Sequence, residues 1–222
     1  MKNFFYIDNI NKLKLNNNFI LSALNLAFAG FVSKKQIKIN KYFVLWCDGL
    51  FSKIFVRSKL VPGYELIEKI KIPNKINQII ILGNASERSI MYLKKKFKKK
   101  ITTYSLPHGK IQNFYKKLPI IRKNYLYLIT LPSPIQEKIA IHISKKYKFF
   151  KIICLGGGLA MASGEITKSP SLIRYLHLEF AWRLRTDFFR RIKRLVISIL
   201  YLMESYKKNF WEKIEFVKID CK

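Results

Sequence analysis

The chain has 222 residues, half of them hydrophobic, so it can bury a core and is not a disordered tail. Its formal net charge of +30 favours partners that carry negative charge, namely nucleic acids, membrane surfaces and anionic ligands. Most of the excess is lysine spread through a sequence rich in isoleucine and asparagine, as a coding bias would produce, so total charge does not choose among these partners.

Short apolar runs alternate with longer helical patterns, which is typical of a βα-repeating fold with a mostly parallel sheet. The predicted strands are Phe4–Ile7, Tyr42–Cys47, Ile79–Leu82, Ile101–Leu106, Tyr125–Thr130 and Ile152–Leu155. Phe19–Val32 is predicted as a buried helix or as a strand followed by a helix. Further helices are predicted over Ile135–Lys146 and from Asn84 or Ser86, either of which can cap the first turn, to about Phe97. We therefore predict an α/β fold with a Rossmann-like, mostly parallel sheet.

Polar or glycine residues follow the carboxyl ends of the predicted strands, where ligands of open α/β sheets bind. We expect these residues to gather along one edge of the sheet: Asp48, Asn84, His108, Gln136 and Gly156–Gly158. The first-turn amides of the helix after Asn84 could hold a phosphate there. Asp48 precedes Gly49 and could serve as a general base with room for a ligand beside it. A strand-end aspartate is also a common turn residue, and both interpretations stay open at this point.

Two further motifs at the same edge have alternative interpretations. In LPSPIQE, rigid prolines precede Gln136 and Glu137, which could hydrogen-bond a base, ribose or sugar hydroxyl or could simply cap a helix. The run IICLGGG is typical of a strand that feeds a glycine turn in a dinucleotide or methyl-donor site. Such sites need an acid at the next strand end about 20 residues on, but Glu179 at that distance lies in a helical stretch.

The segment from Pro170 to Leu195 contains six of the nine arginines of the chain. On a helix, Arg183, Arg190 and Arg194 share one side, and an apolar stripe lies on another side. Arginine pairs with phosphate in two-point fashion, so this basic amphipathic helix suits an anionic membrane surface or a pyrophosphate. Solvated arginines on a surface helix packed through its apolar stripe are the alternative. We predict an α/β body over 1–169 and a C-terminal basic helical appendage and tail over 170–222, in which a late strand is conceivable.

The cysteines and histidines are dispersed without paired or metal-type spacing, which favours a reducing compartment and predicts no disulfide frame, metal site or cofactor. The N-terminus lacks the apolar core of a signal peptide, and no apolar stretch reaches the roughly 20 residues that span a bilayer. We expect a cytoplasmic protein that can lie on a membrane without crossing it. A homo-oligomer is possible.

Read in order, these motifs resemble the WecG/TagA/CpsF family of bacterial glycosyltransferases from about Phe19 to Leu195. The most specific parts are LPSPIQE and the run GGGLAMASGEITKSPSLIRYLHLEFAWRLRTDFFRRIKRL. Asp48–Gly49 stands where the family carries an aspartate-glycine pair, and Asn25 in ALNLAFAGF matches its early asparagine. The sequence departs from the family pattern at several positions, which are Ala23, Lys69, Ala160 and Phe188.

The resemblance implies an inverting transferase that moves a sugar from UDP-N-acetylmannosamine or a related UDP-sugar to a polyprenyl-diphosphate-linked sugar. It also implies action at the inner face of the cell membrane, with the appendage helping to close the site. Asp48 would be the general base, and the expected donor-binding residues are Asn25, Asn84, Gln136 and Glu137. The acceptor diphosphate would meet Arg183, Arg190, Lys193 and Arg194, so no metal is required. A basic nucleic-acid-binding protein is the alternative, although no nucleic acid partner is expected, and a methyl-donor enzyme ranks third.

Overall fold

A computed structural model describes residues 2–9, 15, 17–106, 111–175, 182 and 188–219. Within these residues, eight parallel strands form one sheet. The strands are β1 (Lys2–Ile7), β2 (Phe19–Leu24), β3 (Phe43–Cys47), β4 (Gln78–Leu82), β5 (Lys100–Tyr104), β6 (Tyr125–Ile129), β7 (Lys151–Cys154) and β8 (Ile214–Lys218). Their order across the sheet is β5-β4-β6-β7-β2-β3-β1-β8. The α/β, Rossmann-like fold class is confirmed.

Helices connect the strands and cover both faces of the sheet. They are α1 (Leu26–Ser33), α2 (Gly63–Lys69), α3 (Glu87–Phe97), α4 (Ile111–Lys116), α5 (Ile135–Lys146), α6 (Gly158–Ala162), α7 (Ser171–Tyr175) and α8 (Phe188–Lys207). Two short 3-10 helices follow β3 and α8, over Leu50–Ile54 and Trp211–Lys213. Every residue of β2, β3 and β7 is buried, as expected for strands of a parallel sheet with helices on both faces.

The two faces of the sheet support two apolar cores. Successive strand residues point to opposite faces, so Ile20 and Phe43 enter one core while Leu21 and Val44 enter the other. The first core also contains residues of α1, α5 and α8, and the second contains residues of α2 and α3. Burial of apolar surface on both sides therefore fixes the strand ends from which the site is built.

The C-terminal segment returns to the body at two places. β8 pairs with β1, and Phe216 meets Phe4 edge-to-face with ring centroids 5.6 Å apart. α8 packs on α1, and a Cβ added to Gly30 would lie 2.9 Å from the carbonyl oxygen of Ser198, so glycine permits this close approach. The late strand that the sequence left open is present, and the division at residue 170 stays a prediction.

The predicted strands and the helix over Ile135–Lys146 are confirmed with small shifts at their ends. Phe19–Val32 resolves into β2 followed by α1, because Asn25 interrupts the apolar run and caps the helix. The helix predicted to run to Phe97 begins after Ser86, which accepts a hydrogen bond from the amide of Ser89. The helix α2, which follows Pro62, was not predicted from the sequence.

Candidate functional site

A cavity of about 470 Å³ lies beyond the carboxyl ends of β4, β5, β6 and β7. We call it the strand-end cleft. Its lining includes small polar or glycine residues from the loops after all four strands: Asn84, Ser86, Ser105, Thr130, Gly156 and Gly157. Parallel strands place their following loops at one edge, which explains why residues far apart in sequence meet here. Asn84 is therefore at the cleft, as predicted, whereas His108 lies outside the described residues.

Two loops of the cleft are tied to each other. The hydroxyl of Thr130 after β6 donates to the carbonyl oxygen of Asn84 after β4 over 2.8 Å. Gly83 has φ of 126°, and a Cβ there would lie 2.6 Å from Oγ1 of Thr130, so the contact requires glycine. Ser105 donates to Oδ1 of Asn84 over 3.4 Å, which orients the Asn84 amide.

The N-terminus of α3 forms one wall of the cleft and already meets a carboxylate. Glu165 accepts hydrogen bonds from the hydroxyls of Ser86 and Ser89, the latter over 3.1 Å. Negative charge is favoured at a helix N-terminus, where the dipole is positive and amides lack partners. The phosphate expected at this helix start would therefore have to compete with the Glu165 carboxylate.

The glycine turn after β7 is held by Gln136. The amide of Gly156 donates to Oε1 of Gln136 over 3.0 Å. Nε2 of Gln136 donates to Oε1 of Glu137 over 2.8 Å and to the hydroxyl of Ser133 over 3.0 Å. The Gln136 side chain is only 4% exposed, so most of its hydrogen-bonding capacity serves the protein.

Glu137 lies beneath this turn and has no exposed surface. Its Oε1 also accepts from the hydroxyls of Ser22 at 3.0 Å and Ser133 at 2.8 Å. Its Oε2 is buried and has no hydrogen-bond partner among the described residues. Burial raises the pKa of Glu137, against the lowering effect of these hydrogen bonds, so the neutral carboxyl is favoured. Burial, and in second place the nearby Glu137, raises the pKa of the Cys154 thiol well above its usual value.

Asn25 and Asp48 meet at the ends of the neighbouring strands β2 and β3. Oδ1 of Asn25 accepts from the amide of Phe28 over 3.0 Å and caps α1, while its Nδ2 lies 3.5 Å from Oδ2 of Asp48. Both residues are half-buried. Gly49, with φ of 80°, turns the chain away directly after Asp48. We call this pair the Asn25–Asp48 corner.

The corner lies beside the cleft, since β7 pairs with β2 and β2 pairs with β3. Neighbouring strands are about 4.8 Å apart, so the end of β3 lies roughly 10 Å from the end of β7. The edge of the sheet thus presents, in spatial order, the cleft, Asn25 and Asp48.

The contacts between α1 and α8 run in the same direction along both helices. Gly30 meets Ser198, Ser33 donates to the carbonyl oxygen of Tyr201 over 3.2 Å, and Lys34 pairs with Glu204. The helices are therefore parallel, and the first turns of α8 lie at the Asn25 end of α1. Lys193, which is exposed, and Arg194, which is half-buried, belong to these first turns.

The arginine predictions are only partly covered by the described residues. Arg183 lies outside them, and of Arg190 the structure describes only its place in α8. The buried side of α8 contains Ser198, Leu202 and Ser205, whereas an exposed apolar stripe contains Val196, Leu200 and Met203. This helix is thus amphipathic, but apolar side chains also face away from the body.

Three side chains that sequence reasoning missed complete the site, namely Ser22, Ser133 and Glu165. Ser22 is the one polar residue in the run FILSAL of β2, which is the only sequence signal for its role. Among the described residues, no group of three or more His, Cys, Asp or Glu is placed to hold a metal ion. No helix within the described ranges is long and apolar enough to cross a membrane.

Residues 56–214 match the model of the Glycosyl transferase WecG/TagA/CpsF family. The match covers the strand-end cleft and α8, and therefore includes Asn84, Gln136 and Glu137. Asn25 and Asp48 precede the matched residues. No curated protein matches the chain.

Proposed function

Since the chain belongs to the Glycosyl transferase WecG/TagA/CpsF family and is a glycosyltransferase of cell-surface polysaccharide synthesis, we propose the following donor and acceptor. The donor is a UDP-sugar, either UDP-N-acetylmannosamine or a related one. The acceptor is a sugar linked to polyprenyl diphosphate, and the transfer inverts the anomeric centre. The observation that carries this proposal is the placement of the Asn25–Asp48 corner directly beside the strand-end cleft.

Asp48 is the proposed general base. Its carboxylate takes the proton of the acceptor hydroxyl as that oxygen forms a bond to the anomeric carbon of the donor. The bond from the anomeric carbon to the β-phosphate oxygen breaks, and its electron pair leaves with UDP. The amide of Asn25, whose Nδ2 lies 3.5 Å from Oδ2 of Asp48, orients the carboxylate.

The glycine turn is the proposed site of the donor diphosphate. A Cβ on Gly157 would have no neighbour within 4 Å, so its backbone is open to a ligand in the cleft. The α3 N-terminus is a weaker candidate for the diphosphate, because the Glu165 carboxylate would repel it. This wall of the cleft, formed by Glu165, Ser86 and Ser89, is better suited to the hydroxyls of the nucleoside. A carboxylate can accept hydrogen bonds from such hydroxyls.

Gln136 and Glu137 act mainly by positioning in this proposal. Glu137 is fully buried and cannot touch the donor without a rearrangement, whereas its bond to Gln136 is in place. Gln136 in turn holds the amide of Gly156, which borders the cleft. The pair therefore fixes the shape of the turn before the donor arrives, which reduces the ordering cost of binding.

Lys193 and Arg194, with Arg183 and Arg190, are the proposed contacts of the acceptor diphosphate. Their charges complement the diphosphate, and the first turns of α8 lie at the Asn25 end of α1. The exposed stripe of Val196, Leu200 and Met203 would lie against the lipid at the inner face of the membrane. We propose that the enzyme acts there as a peripheral protein.

Calorimetric titration with UDP tests the donor site, with Gly157→Ala and Gly157→Val as a graded pair of variants. Gly157 has φ of −81°, so neither side chain strains the backbone, but each fills the cleft where we place the diphosphate. We expect saturable UDP binding at one site of the wild-type protein. The affinity for UDP should be lower in Gly157→Ala and lower still in Gly157→Val, and the melting temperatures of both variants should be unchanged.

A short nucleic acid titrated at several salt concentrations is the comparison ligand. Failure of UDP to bind, together with salt-dependent binding of nucleic acid, would contradict the proposal and favour the nucleic-acid alternative. If both Gly157 variants bind UDP as tightly as the wild type, the result would support a UDP-sugar donor but contradict the placement of its diphosphate at the glycine turn.

A further inference from the structure

A second groove of about 200 Å³ lies between α5 and the loop that follows α1, and it shares no lining residue with the strand-end cleft. Four lysines line it: Lys35, Lys38, Lys138 and Lys145. The other lining residues are Gln36, Tyr115, Ile141 and His142, so none of the described residues in its walls is acidic. The groove is thus a concave surface on which every charged side chain among the described residues is basic.

The walls of the groove are fixed relative to each other. The loop after α1 is held at its base by Ile37, which is 2% exposed, and by hydrogen bonds from the amides of Gln36 and Ile37 to the carbonyl oxygen of Phe31. Nδ2 of Asn40 donates to the hydroxyl of Ser144 on α5 over 2.9 Å, which links the two walls. The fold therefore holds the two walls, and the lysines on them, in a fixed arrangement.

An aromatic pair lies between these walls. The ring of Tyr115 on α4 stacks on the imidazole of His142 on α5, with centroids 4.0 Å apart and planes 7° apart. Desolvation is the main cause that lowers the pKa of His142, and the charges of Lys146 and Lys145 lower it further. Burial and the two lysine charges therefore favour the neutral imidazole, which presents a hydrogen-bonding group at the groove beside the lysines.

Ion pairs within the described part of the chain do not neutralise the positive charge of the groove. Lys34, next to the groove, forms an ion pair with Glu204, but among the described residues no ion pair includes a lysine that lines the groove. Holding four like charges near one concavity is unfavourable without a counter-ion, and a cleft of one sign concentrates anions. Lysine ammonium groups from both walls of one groove suit the oxygens of a phosphate.

We propose that this groove is a second anion site, which binds a phosphate group independently of the donor and acceptor sites. The phosphate can belong to a free phosphate compound or to a lipid headgroup. The groove lies in the same helical layer as α8, since α1 contacts α8 on one side and the loop after α1 forms a groove wall. A headgroup ligand would therefore add a second contact to a membrane on which α8 lies.

Titration of the full chain with inorganic pyrophosphate, followed by the NMR signals of the His142 imidazole, tests the site directly. The double variant Lys38→Gln with Lys138→Gln removes one charge from each wall. Lys94→Gln with Lys95→Gln on α3 removes the same charge from exposed positions away from the groove and is the matched control. We expect saturable shifts of His142 in the wild type and control, and affinity weaker by roughly tenfold or more in the groove variant.

Asn40→Ala separates the geometry of the groove from its charge, because it breaks the link to Ser144 and leaves every lysine in place. Affinity reduced by several-fold in this variant would support a preformed site. Equal losses in the groove and control variants, or no difference between Asn40→Ala and the wild type, would reduce the groove to general basic charge and overturn the proposal.

Flotation with vesicles separates the two sources of phosphate. Phosphatidylglycerol vesicles are compared with phosphatidylcholine vesicles for the same four proteins. If the groove variant binds phosphatidylglycerol vesicles more weakly than the control does, and phosphatidylcholine vesicles equally, the site binds a lipid headgroup. If the groove variant has a lower affinity for pyrophosphate but binds both kinds of vesicle as the control does, the site binds a free phosphate compound. If neither ligand distinguishes the groove variant from the control, the proposal is wrong, whatever UDP does at the cleft.

Discussion

The strand-end cleft and the Asn25–Asp48 corner lie side by side but are held in different ways. The cleft is tied internally, since Thr130 bonds Asn84, Gln136 bonds Gly156, and Glu137 bonds both Gln136 and Ser22. At the corner, the contact between Asn25 and Asp48 is 3.5 Å long, and α8 reaches α1 from the far end of the chain. The proposed donor side is thus preformed, whereas the proposed acceptor side depends on the docking of one helix.

This difference predicts that variants of the two regions separate donor binding from acceptor use. Changes at the corner and at α8 should lower turnover or acceptor affinity and leave UDP binding intact. Changes beneath the cleft should act on the glycine turn and on stability. The four variants below test this separation, from the largest expected effect to the smallest.

Asp48→Asn should give the largest effect. The amide keeps the shape of the side chain but cannot take the proton of the acceptor hydroxyl, so we expect turnover to fall by roughly 10²–10⁴-fold. UDP affinity, measured by calorimetry, should stay unchanged because Asp48 lies outside the cleft lining. Turnover within a few-fold of wild type would exclude Asp48 as the base and leave it as a turn residue.

Lys193→Gln combined with Arg194→Gln should raise the acceptor KM by roughly tenfold, since charged hydrogen bonds to a diphosphate are lost. Lys207→Gln removes a charge from an exposed position at the other end of α8 and is the control for a general effect of charge on this helix. The comparison requires initial rates over a range of acceptor concentrations at saturating donor. An equal change in the control, or none in the double variant, would return these residues to solvated positions on a surface helix.

Gly30→Val tests whether the docking of α8 matters for the acceptor side. A Cβ at this position would lie 2.9 Å from the backbone oxygen of Ser198, so α8 must move away. We expect a loss of stability of about 1–3 kcal/mol and a several-fold higher acceptor KM with unchanged UDP affinity. Ser33→Ala removes one hydrogen bond between the same helices without a clash and should have a smaller effect. Equal losses of UDP and acceptor affinity would show that the two sides are not separable.

The strand-end positions of the Asn25–Asp48 corner and of the strand-end cleft were easier to predict from the sequence than the contacts between distant residues. Short apolar runs and the residues that follow them located β3 and β7, whereas Phe19–Val32 was predicted as a buried helix or as a strand followed by a helix. Parallel pairing of β2 with β3 brings Asn25 and Asp48 together. The bond between Ser22 and Glu137 joins residues 115 positions apart, and nothing local marks it. In the motif LPSPIQE, Glu137 is also compatible with a simple helix cap. Its complete burial could therefore not be predicted from the motif.

The lysines illustrate the same limit. Lys35 and Lys38 lie about 100 residues before Lys138 and Lys145 in the chain, in a sequence with lysines throughout, so no local cluster marks the second groove. Their convergence depends on the way α1 and α5 pack on the sheet. The dense run Lys94–Lys100, by contrast, is conspicuous in the sequence but belongs to the end of α3 and the start of β5.

Glu137→Gln should give the smallest effect on activity and a clear effect on the pH dependence of stability. Burial raises the pKa of Glu137 in the folded protein above its unfolded value, so folding favours the protonated form. The contribution of Glu137 to stability is therefore fully present below the unfolded pKa of about 4.3 and decreases as the pH rises toward the folded pKa. Glutamine is neutral at every pH, and its amide oxygen can still accept from Ser22 and Ser133.

The difference in melting temperature between Glu137→Gln and the wild type should thus move in favour of the variant as the pH rises from 4 to 8. Glu65→Gln is a suitable control, since Glu65 is a half-buried ion-pair partner of Lys69 on α2 and, unlike Glu137, is not enclosed in the core, so its removal should not produce this trend. UDP affinity should change little if Gln136 still holds Gly156 in the variant. A difference that is constant over this pH range would mean that Glu137 is charged in the folded protein, and the glycine turn would then rest on a buried anion.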